Sequence, residues 1–214
     1  YVRSIINLKS KIKPISIKRT NNYNDTNIND KITSASSIRK NISNKELIIN
    51  TLPKKSYDLI NNINYDDFFK YLKYEILTND NLNDILDVDE GIENKLKKEI
   101  ISVDKLEDLI LKVKSKRYSY NRIKRMLLHI LTKTKKDYDK EVKYIRVLGM
   151  NLNGMKILKE AKKNSNLQIV TKFKKEYYKL FEDDIKASKL YSLLTKYDVK
   201  KDFSKPIIKD WSID

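Results

Sequence analysis

The spacing of apolar residues is most regular between positions 112 and 132 of the chain. Apolar side chains recur there at intervals of three and four residues, which places them on one side of an α-helix. These residues are Ile123, Met126, Leu127, Ile130 and Leu131. We predict that this stripe packs into a hydrophobic core.

A second face of the same predicted helix is positively charged. At about 100° per residue, Tyr118, Arg122, Arg125 and His129 share a face away from the apolar stripe. We define the basic ridge as Lys116, Arg117, Tyr118, Arg122, Lys124 and Arg125, and we expect it to face solvent. From the spacing alone, the solvated face of an ordinary core helix is an equally good interpretation.

The N-terminal part predicts short elements joined by polar loops. Residues 2–8 are typical of the end of a helix, and PISIKR at 14–19 predicts a strand that delivers Arg19 to a loop at 20–30. The serine-rich turn at 34–37 predicts a helix N-cap, whose backbone N–H groups can bind an anion such as phosphate. A plain capped helix with a surface Arg39 is the alternative.

The middle of the chain predicts two helices within 56–76 that meet around 61–65, and further core helices at 82–101 and 103–113. Asp66 and Asp67 fall in a first helical turn, where the helix dipole favours acids. One acidic patch could hold a metal or act as acid and base, but its apolar spacing favours a core-facing helix. The patch consists of Asp84, Asp87, Asp89, Glu90 and Glu93.

The C-terminal part alternates between strand and helix patterns. Strands are predicted at 144–148 and 167–171 and helices at 151–164 and 178–194, which indicates a small α/β element with a parallel strand pair. In the first of these helices we expect Met155, Leu158 and Ala161 to lie inside. In the tail, Phe203 and Trp211 are expected to pack back onto the protein.

Composition makes the basic ridge more informative. The chain of 214 residues has 46 Lys and Arg against 29 Asp and Glu, a net charge of +17, which favours nucleic acid or an acidic membrane as partner. Only seven of these cations are Arg, and three of the seven lie between Arg117 and Arg125. Because lysine cannot reproduce the bidentate geometry of a guanidinium group, we predict that these arginines bind anionic oxygens.

Several classes of chemistry are excluded by what the sequence lacks. Without cysteine there is no disulfide, thiol or Cys-based zinc site, which fits the cytoplasm. His129 is the only histidine, so no Ser/His/Asp triad exists away from it, and inside LLHIL we expect a packed or half-buried side chain. No apolar run reaches the roughly 20 residues of a membrane span, so we expect no membrane partner.

Four collinear stretches give the chain a family resemblance. They are KPISIKR with the Tyr23-Asn24-Asp25 loop, SASSIRK, DVDEGIENKL followed by KSKRYSYNRIKRMLLHIL, and YIRVLGMNLNGMKIL. Together they resemble the bacterial tRNA(Met) cytidine acetate ligases, which have a nucleotidyltransferase fold with a helical C-terminal half. The resemblance extends from Tyr1 to about Pro206.

The resemblance implies an enzyme that activates acetate with ATP, with Mg²⁺, and acetylates N4 of the wobble cytidine of elongator tRNA(Met). Its ATP-side motifs correspond to Arg19 and Thr20 and to Ser34, Ser37 and Arg39. The basic ridge would then hold tRNA phosphates, with Tyr118 and Tyr120 available for stacking. No metal-binding residues and no catalytic residues are predicted within the chain.

The expected fold class is α+β and mainly α-helical. Residues 1–45 would end a Rossmann-like nucleotidyltransferase domain, and residues 46–214 would form a helical tRNA-binding domain with a small α/β element at about 143–196. The family's Gly/Asn-Pro/His-x-Gly-His loop is not in the sequence. We therefore expect the chain to be the C-terminal half of a longer enzyme and inactive on its own.

Two other functions fit the same residues. One is a non-catalytic RNA-binding module, and the other is a nucleotidyltransferase that acts on a small cofactor precursor. The anion-binding interpretation as a whole fails if Arg19, Arg117, Arg122 and Arg125 are all paired with carboxylates and face no open pocket.

Overall fold

A computed structural model describes residues 1–22, 25–28, 31–57, 60, 63–139 and 141–208. The chain forms two compact units, Tyr1–Asn62 and Ile63–Asp214. Tyr23, Asn24 and Trp211, which the sequence analysis singled out, lie outside the described residues. The boundary that we placed after residue 45, between the nucleotidyltransferase part and the tRNA-binding part, stays a prediction.

Helices dominate both units, as the sequence predicts for a mainly helical α+β chain. The α-helices of the described residues are α1 Val2–Asn7, α2 Ala35–Lys40, α3 Lys45–Ile48, α4 Lys54–Tyr57, α5 Tyr65–Thr78, α6 Ile92–Glu99, α7 Leu106–Val113, α8 Tyr120–Thr132, α9 Leu152–Asn164 and α10 Glu182–Leu194. Short 3-10 helices cover Leu82–Asp84, Ile100–Ser102, Lys175–Phe181 and Val199–Phe203. The strands are β1 Tyr144–Arg146, β2 Gly149–Met150, β3 Gln168–Val170 and β4 Ile207–Ile208.

The first unit confirms the predicted helices at its start and after Ser34, but the strand predicted at 14–19 is wrong. Ile15 and Ile17 alternate with polar residues, yet they are 89% and 92% exposed. An alternating segment becomes a strand only when a neighbour accepts its backbone hydrogen bonds. No strand pairs with this segment among the residues that the structure describes, so it forms no regular secondary structure.

The core of the second unit lies where α5, α6, α7 and α8 pack together. The apolar stripe of α8 is confirmed, because Ile123, Met126, Leu127 and Ile130 are buried and Leu131 is half-buried. They pack in one cluster with Leu72 and Ile76 of α5 and Leu109 and Ile110 of α7. Burial of each such side chain contributes about 1.5–3 kcal/mol, which holds α8 rigidly in place.

The α/β element contains the predicted parallel pair. β1 and β3 are parallel, with Tyr144 opposite Gln168 and Arg146 opposite Val170. A second parallel pair, β2 with β4, was not predicted, and it brings the C-terminal tail beside Gly149. A Cβ at Gly149 would lie 3.2 Å from the carbonyl oxygen of Ile207, so glycine permits this close approach.

Helix α9 differs from its prediction. It has no buried residue, Met155 is 43% exposed, and Leu158 and Ala161 are only half-buried. Its contacts are mainly with the two-residue strand β2, which is too short to cover the apolar side of a helix of 13 residues.

A second, smaller core lies beside the β1–β3 pair. The rings of Phe173 and Phe181 stack with centroids 4.1 Å apart, and Val170 and Ile185 complete the cluster. Phe203 packs against it, as predicted for the tail.

Candidate nucleic-acid interface

Helix α8 presents Arg122, Lys124 and Arg125 of the basic ridge along its first two turns, and Lys116 and Arg117 lie just before the helix. The hydroxyl of Ser119 caps the helix by accepting the backbone N–H of Arg122 at 3.4 Å. One guanidinium nitrogen of Arg122 donates to the carbonyl of Arg117 at 3.2 Å, which ties the residues before the helix to its first turn. Lys116, Arg117, Lys124 and Arg125 are exposed, whereas Arg122 is half-buried.

Each arginine of the ridge lies against a carboxylate of one loop, which we call the acidic loop and define as residues 86–91. Arg117 donates to Glu90 at 2.7 Å and Arg125 donates to Asp87 at 3.1 Å. Arg122 lies 3.8 Å from Asp89. The ridge therefore carries its own counterions.

The backbone of the acidic loop is fixed in an unusual conformation. Asp87 and Glu90 have φ values of 68° and 56°, and Gly91 has a φ of 78°. Tyr118 donates its hydroxyl to the carbonyl of Asp89 at 2.6 Å, and Lys136 lies 2.9 Å from the Asp89 carboxylate. These contacts hold the loop against the start of α8.

The acidic patch was predicted as part of a core-facing helix, and this is only half right. Leu82 and Ile85 are buried, but the segment consists of a 3-10 turn and the acidic loop rather than one continuous helix. Gly91 in the left-handed conformation starts α6 at Ile92. The carboxylates of the loop turn toward the ridge.

The ion pairs bear directly on the anion-binding interpretation. The side chains of Arg117 and Arg125 keep 76% and 59% of their exposure, and exposed pairs of this kind contribute only about 0–1 kcal/mol. Arg125 also lines an open cavity of about 590 Å³. Arg117, Arg122 and Arg125 therefore meet the pairing part of the condition that would have overturned the interpretation, but the cavity beside Arg125 means that its second part is not met.

The prediction that Tyr118 faces solvent is wrong. Its ring is 4% exposed and belongs to the main core, and the guanidinium carbon of Arg122 lies 4.4 Å from the ring centroid. Burial raises the pKa of its phenol. Because Tyr118 precedes α8 rather than continuing it, the helical angle that we assigned to it does not apply.

Tyr120 lies at the edge of the core. Its hydroxyl donates to the carboxylate of Glu107 at 2.7 Å, and this hydrogen bond raises the pKa of Tyr120 to about 12. The ammonium group of Lys124 lies 5.2 Å from its ring centroid. The half-buried ring thus supports Lys124 at the side of the ridge.

His129 is half-buried, as predicted, with 21% of its side chain exposed. Its Nδ1 atom lies 3.3 Å from Oδ2 of Asp87 and 3.3 Å from the carbonyl oxygen of Leu86. The imidazole therefore belongs to the same polar cluster as Arg125.

The predicted ATP-side residues all lie in the first unit. Ser34 caps α2 by accepting the N–H of Ser37 at 2.9 Å, which confirms the predicted N-cap. Both hydroxyls donate to the carbonyl of Asp25, at 2.7 Å from Ser34 and 2.6 Å from Ser37, and both side chains are buried. These hydrogen bonds hold the loop, and the expected role of the two serines on the phosphate side of ATP stays a prediction.

The remaining ATP-side residues are on the surface of the first unit. Thr20, Arg19 and Arg39 are exposed, and Nε of Arg19 donates to the side chain of Asn21 at 2.9 Å. Asn21 in turn donates to the carbonyl of Ile32 at 3.1 Å, so Arg19 is oriented by the loop that leads into α2.

Sequence reasoning missed the partners of the ridge and of Arg146. The acidic patch was noticed, but its pairing with the arginines of the ridge joins residues up to 38 positions apart and needs the folded loop. Arg146 likewise donates to the buried carboxylate of Asp202 at 2.9 Å, 56 positions away. Within the described ranges, no group of three acidic or histidine side chains is arranged to hold a metal, and no helix could cross a membrane.

Comparison with known proteins agrees with this architecture. The family described as HIGH Nucleotidyl Transferase matches residues 1–205. A tRNA(Met) cytidine acetate ligase of Clostridium perfringens is 42% identical over 207 residues, covering 91% of this chain and 52% of the relative. The ligase of the same name from Clostridium acetobutylicum is 40% identical over 211 residues, covering 92% and 52%. The chain thus spans about half the length of the curated relatives that it matches.

Solved structures show the same fold. Thermotoga maritima TmcAL in its apo form superposes with a TM-score of 0.80 at 24% identity, covering 97% of this chain and 58% of that protein. The form bound with alpha-thio ATP gives 0.78 at 23% identity, covering 97% and 57%. The nucleotidyltransferase-type fold and the resemblance to tRNA(Met) cytidine acetate ligases are confirmed.

Proposed function

Because the chain belongs to the HIGH nucleotidyl transferase family, we propose that it is part of an ATP-dependent ligase that modifies elongator tRNA(Met) in the cytoplasm. ATP and acetate form acetyl-adenylate with release of pyrophosphate. The N4 amine of the wobble cytidine then attacks the acetyl carbonyl, AMP leaves, and the amine loses a proton.

The observation that carries this proposal is the sequence match to ligases of that name, 42% identical over 207 residues. A match over 91% of the chain includes elements of both compact units rather than one shared motif. The net charge of +17 favours binding of a polyanion such as RNA.

In this proposal the ridge binds tRNA phosphates by exchange. Glu90, Asp89 and Asp87 occupy the positions that phosphate oxygens take when RNA binds, and they orient the guanidinium groups beforehand. A phosphate can displace an exposed carboxylate because such pairs are weak and because a guanidinium binds phosphate in bidentate geometry.

On the nucleotide side, Arg19 and Arg39 are the cations that we propose to contact ATP, with Mg²⁺ as its counterion. Thr20 lies beside Arg19, and the hydrogen bonds of Ser34 and Ser37 to Asp25 fix the loop between the two arginines. The Thermotoga maritima protein of the same fold binds alpha-thio ATP, which supports a nucleotide role for the family member described here.

The test is acetyl transfer from labelled acetate to elongator tRNA(Met) in the presence of ATP, using the full polypeptide that carries this chain. We expect N4-acetylcytidine in the product and none when the wobble cytidine is replaced by uridine. Tight tRNA binding without acetyl transfer would point to a non-catalytic RNA-binding module. Turnover of a small nucleotide precursor with no tRNA binding would point to a cofactor-forming nucleotidyltransferase.

A further inference from the structure

A cavity of about 590 Å³ opens beside the basic ridge, between α5, α8 and α10. Its walls are mostly apolar, and they include Phe68, Leu127, Leu128, Leu190 and Leu194. The volume falls within the range of about 300–1,000 Å³ that is typical of small-molecule sites. The cavity belongs entirely to the second unit.

The charged side chains that line this cavity, in the part of the chain that the structure describes, are cationic. Lys124 and Arg125 are its two cations, and no carboxylate is among its lining residues in the described part of the chain. His129 and Thr132 provide hydrogen-bonding groups on the α8 side. Tyr65 and Tyr191 add aromatic rings that are 56% and 37% exposed.

Arg125 belongs both to this cavity and to the ridge. Its side chain contacts Asp87 of the acidic loop and also lines the cavity. A strand of RNA held by Arg117, Arg122 and Arg125 would therefore pass the mouth of the cavity.

We propose that the cavity binds one unstacked base of the RNA whose phosphates lie on the ridge. This inference rests on the proposed function. Proteins recognise single-stranded RNA by splaying bases onto aromatic side chains and reading their edges with polar groups. Apolar walls, two tyrosine rings, a polar edge and cations at the phosphate side are the groups that a nucleotide needs.

An aliphatic anion such as a fatty acid is the other ligand that apolar walls and cations could accept. The exposed tyrosine rings and the continuity with the ridge favour a base. The experiment below separates the two ligands.

The test compares two variants that replace a helix alanine with tryptophan, at exposed Ala187 and at half-buried Ala161. Ala187→Trp fills the cavity from the exposed side of α10, and Ala161→Trp on α9 is the matched control outside it. Each protein is titrated with an anticodon stem-loop RNA and with copies that carry an abasic nucleotide at one loop position in turn. Circular dichroism melting checks folding, and Leu128→Asn is a second cavity variant.

In the wild type and in Ala161→Trp, we expect one abasic position to weaken binding by at least about fivefold, the effect of losing one stacked base. In Ala187→Trp the unmodified RNA should bind about fivefold more weakly, and the same abasic position should cause no further loss. This non-additivity identifies the cavity as the site of that base.

Three results would overturn the inference. Unchanged RNA binding by folded Ala187→Trp and Leu128→Asn would exclude a base in the cavity while leaving RNA binding by the ridge intact. An additive loss from the variant and the abasic position would show that the base lies elsewhere. Binding of a labelled fatty acid by the wild type and its loss in Ala187→Trp, with RNA binding unaffected, would assign the cavity to an aliphatic anion. No stem-loop binding by the wild type would instead refute the proposed function itself.

Discussion

Nε of Arg125 lies 3.1 Å from Oδ2 of Asp87, and that same oxygen lies 3.3 Å from Nδ1 of His129. The sequence analysis predicted that Arg125 binds an anionic ligand, but in the structure Arg125 is already paired with a carboxylate. Binding of RNA by this surface exchanges one anion for another instead of filling an empty site. The strength and the salt dependence of binding then depend on the acidic loop as much as on the arginines.

The arginines of α8 should determine how tRNA binding responds to salt. We predict that Arg122→Ala combined with Arg125→Ala weakens tRNA binding and lowers the slope of log K against log salt by about two, because each phosphate contact contributes about one. Fluorescence anisotropy titrations from low to moderate salt measure this slope. The control, Lys162→Ala with Lys163→Ala on α9, removes the same charge and should leave the slope unchanged. Equal slopes for the wild type and both double variants would show that the ridge is only a solvated face.

Neutralising the acidic loop should have the opposite effect. Asp89 faces both Arg122 and Lys136, so Asp89→Asn frees two cations for phosphate. We predict severalfold tighter tRNA binding at low salt, measured by the same titration. Glu160→Gln on α9 is the control for a general change in net charge. Weaker binding by Asp89→Asn would show that the carboxylate mainly orients Arg122 and does not compete with RNA.

Substitutions at the neighbouring residues Ile110 and Leu111 on α7 distinguish the stability that comes from core packing from the stability that comes from helix propensity. Ile110 is fully buried, whereas Leu111 is 56% exposed. Ile110→Ala should reduce the free energy of unfolding by about 2–5 kcal/mol, the usual cost of such a cavity. Leu111→Ala should change it by less than about 0.5 kcal/mol, as for most surface substitutions. Urea denaturation measures both values, and similar losses would contradict the helix orientation.

The hydrogen bond from Tyr120 to Glu107 should be visible in the titration of the phenol. The raised pKa of about 12 means that this bond stabilises the fold below pH ~10, the unfolded value, and that the stabilisation is lost as the pH rises through about 12. Glu107→Gln should move the pKa of Tyr120 back toward ~10. Carbon NMR of labelled tyrosine measures it, with Asp108→Asn on the same turn as control. An unchanged value would show that the hydrogen bond is absent in solution.

The ion pair between half-buried Arg146 and buried Asp202 should respond to acid. Burial alone would raise the pKa of Asp202, but hydrogen bonds from Ser188, Arg146 and Tyr197 outweigh it and lower the pKa. Stability from this carboxylate is therefore present above its unfolded pKa of ~3.9 and is lost as the pH falls through the lower folded value.

Asp202→Asn should accordingly cost about 3 kcal/mol at neutral pH, because it leaves Arg146 without its partner. The difference from the wild type should shrink as the pH falls below the unfolded value of ~3.9 and through the lower folded value. Urea unfolding at neutral and acidic pH measures it, and Asp104→Asn, whose side chain is 99% exposed, is the control. A difference that does not change with pH would mean that Asp202 contributes through packing alone.

The sequence was sufficient where one local pattern decides the structure. The stripe of α8, the N-cap at Ser34 and the parallel pair of β1 and β3 each follow from helical period, capping chemistry or strand alternation. The half-burial of His129 follows from its position between the stripe and the ridge.

The sequence was insufficient where distant segments meet. The alternation at Ile15 and Ile17 is strand-like, but whether a strand forms depends on a neighbour that this pattern does not encode. Tyr118 was placed on the ridge by extending the helical angle back past the N-cap Ser119, whereas the helix begins at Tyr120. The pairing of Arg117 with Glu90 depends on a loop with left-handed residues, and acids with positive φ have no reliable sequence signal.

Asp87 and Glu90 adopt left-handed backbone conformations that cost a residue other than glycine about 1–3 kcal/mol. Glycine at either position would relieve this cost and at the same time delete an acid. At positions 87 and 90, a substitution that raises thermal stability therefore also removes negative surface charge. A library selected only for stability at high temperature should accumulate glycine at 87 and 90. The selected variants should bind polyanions with less specificity.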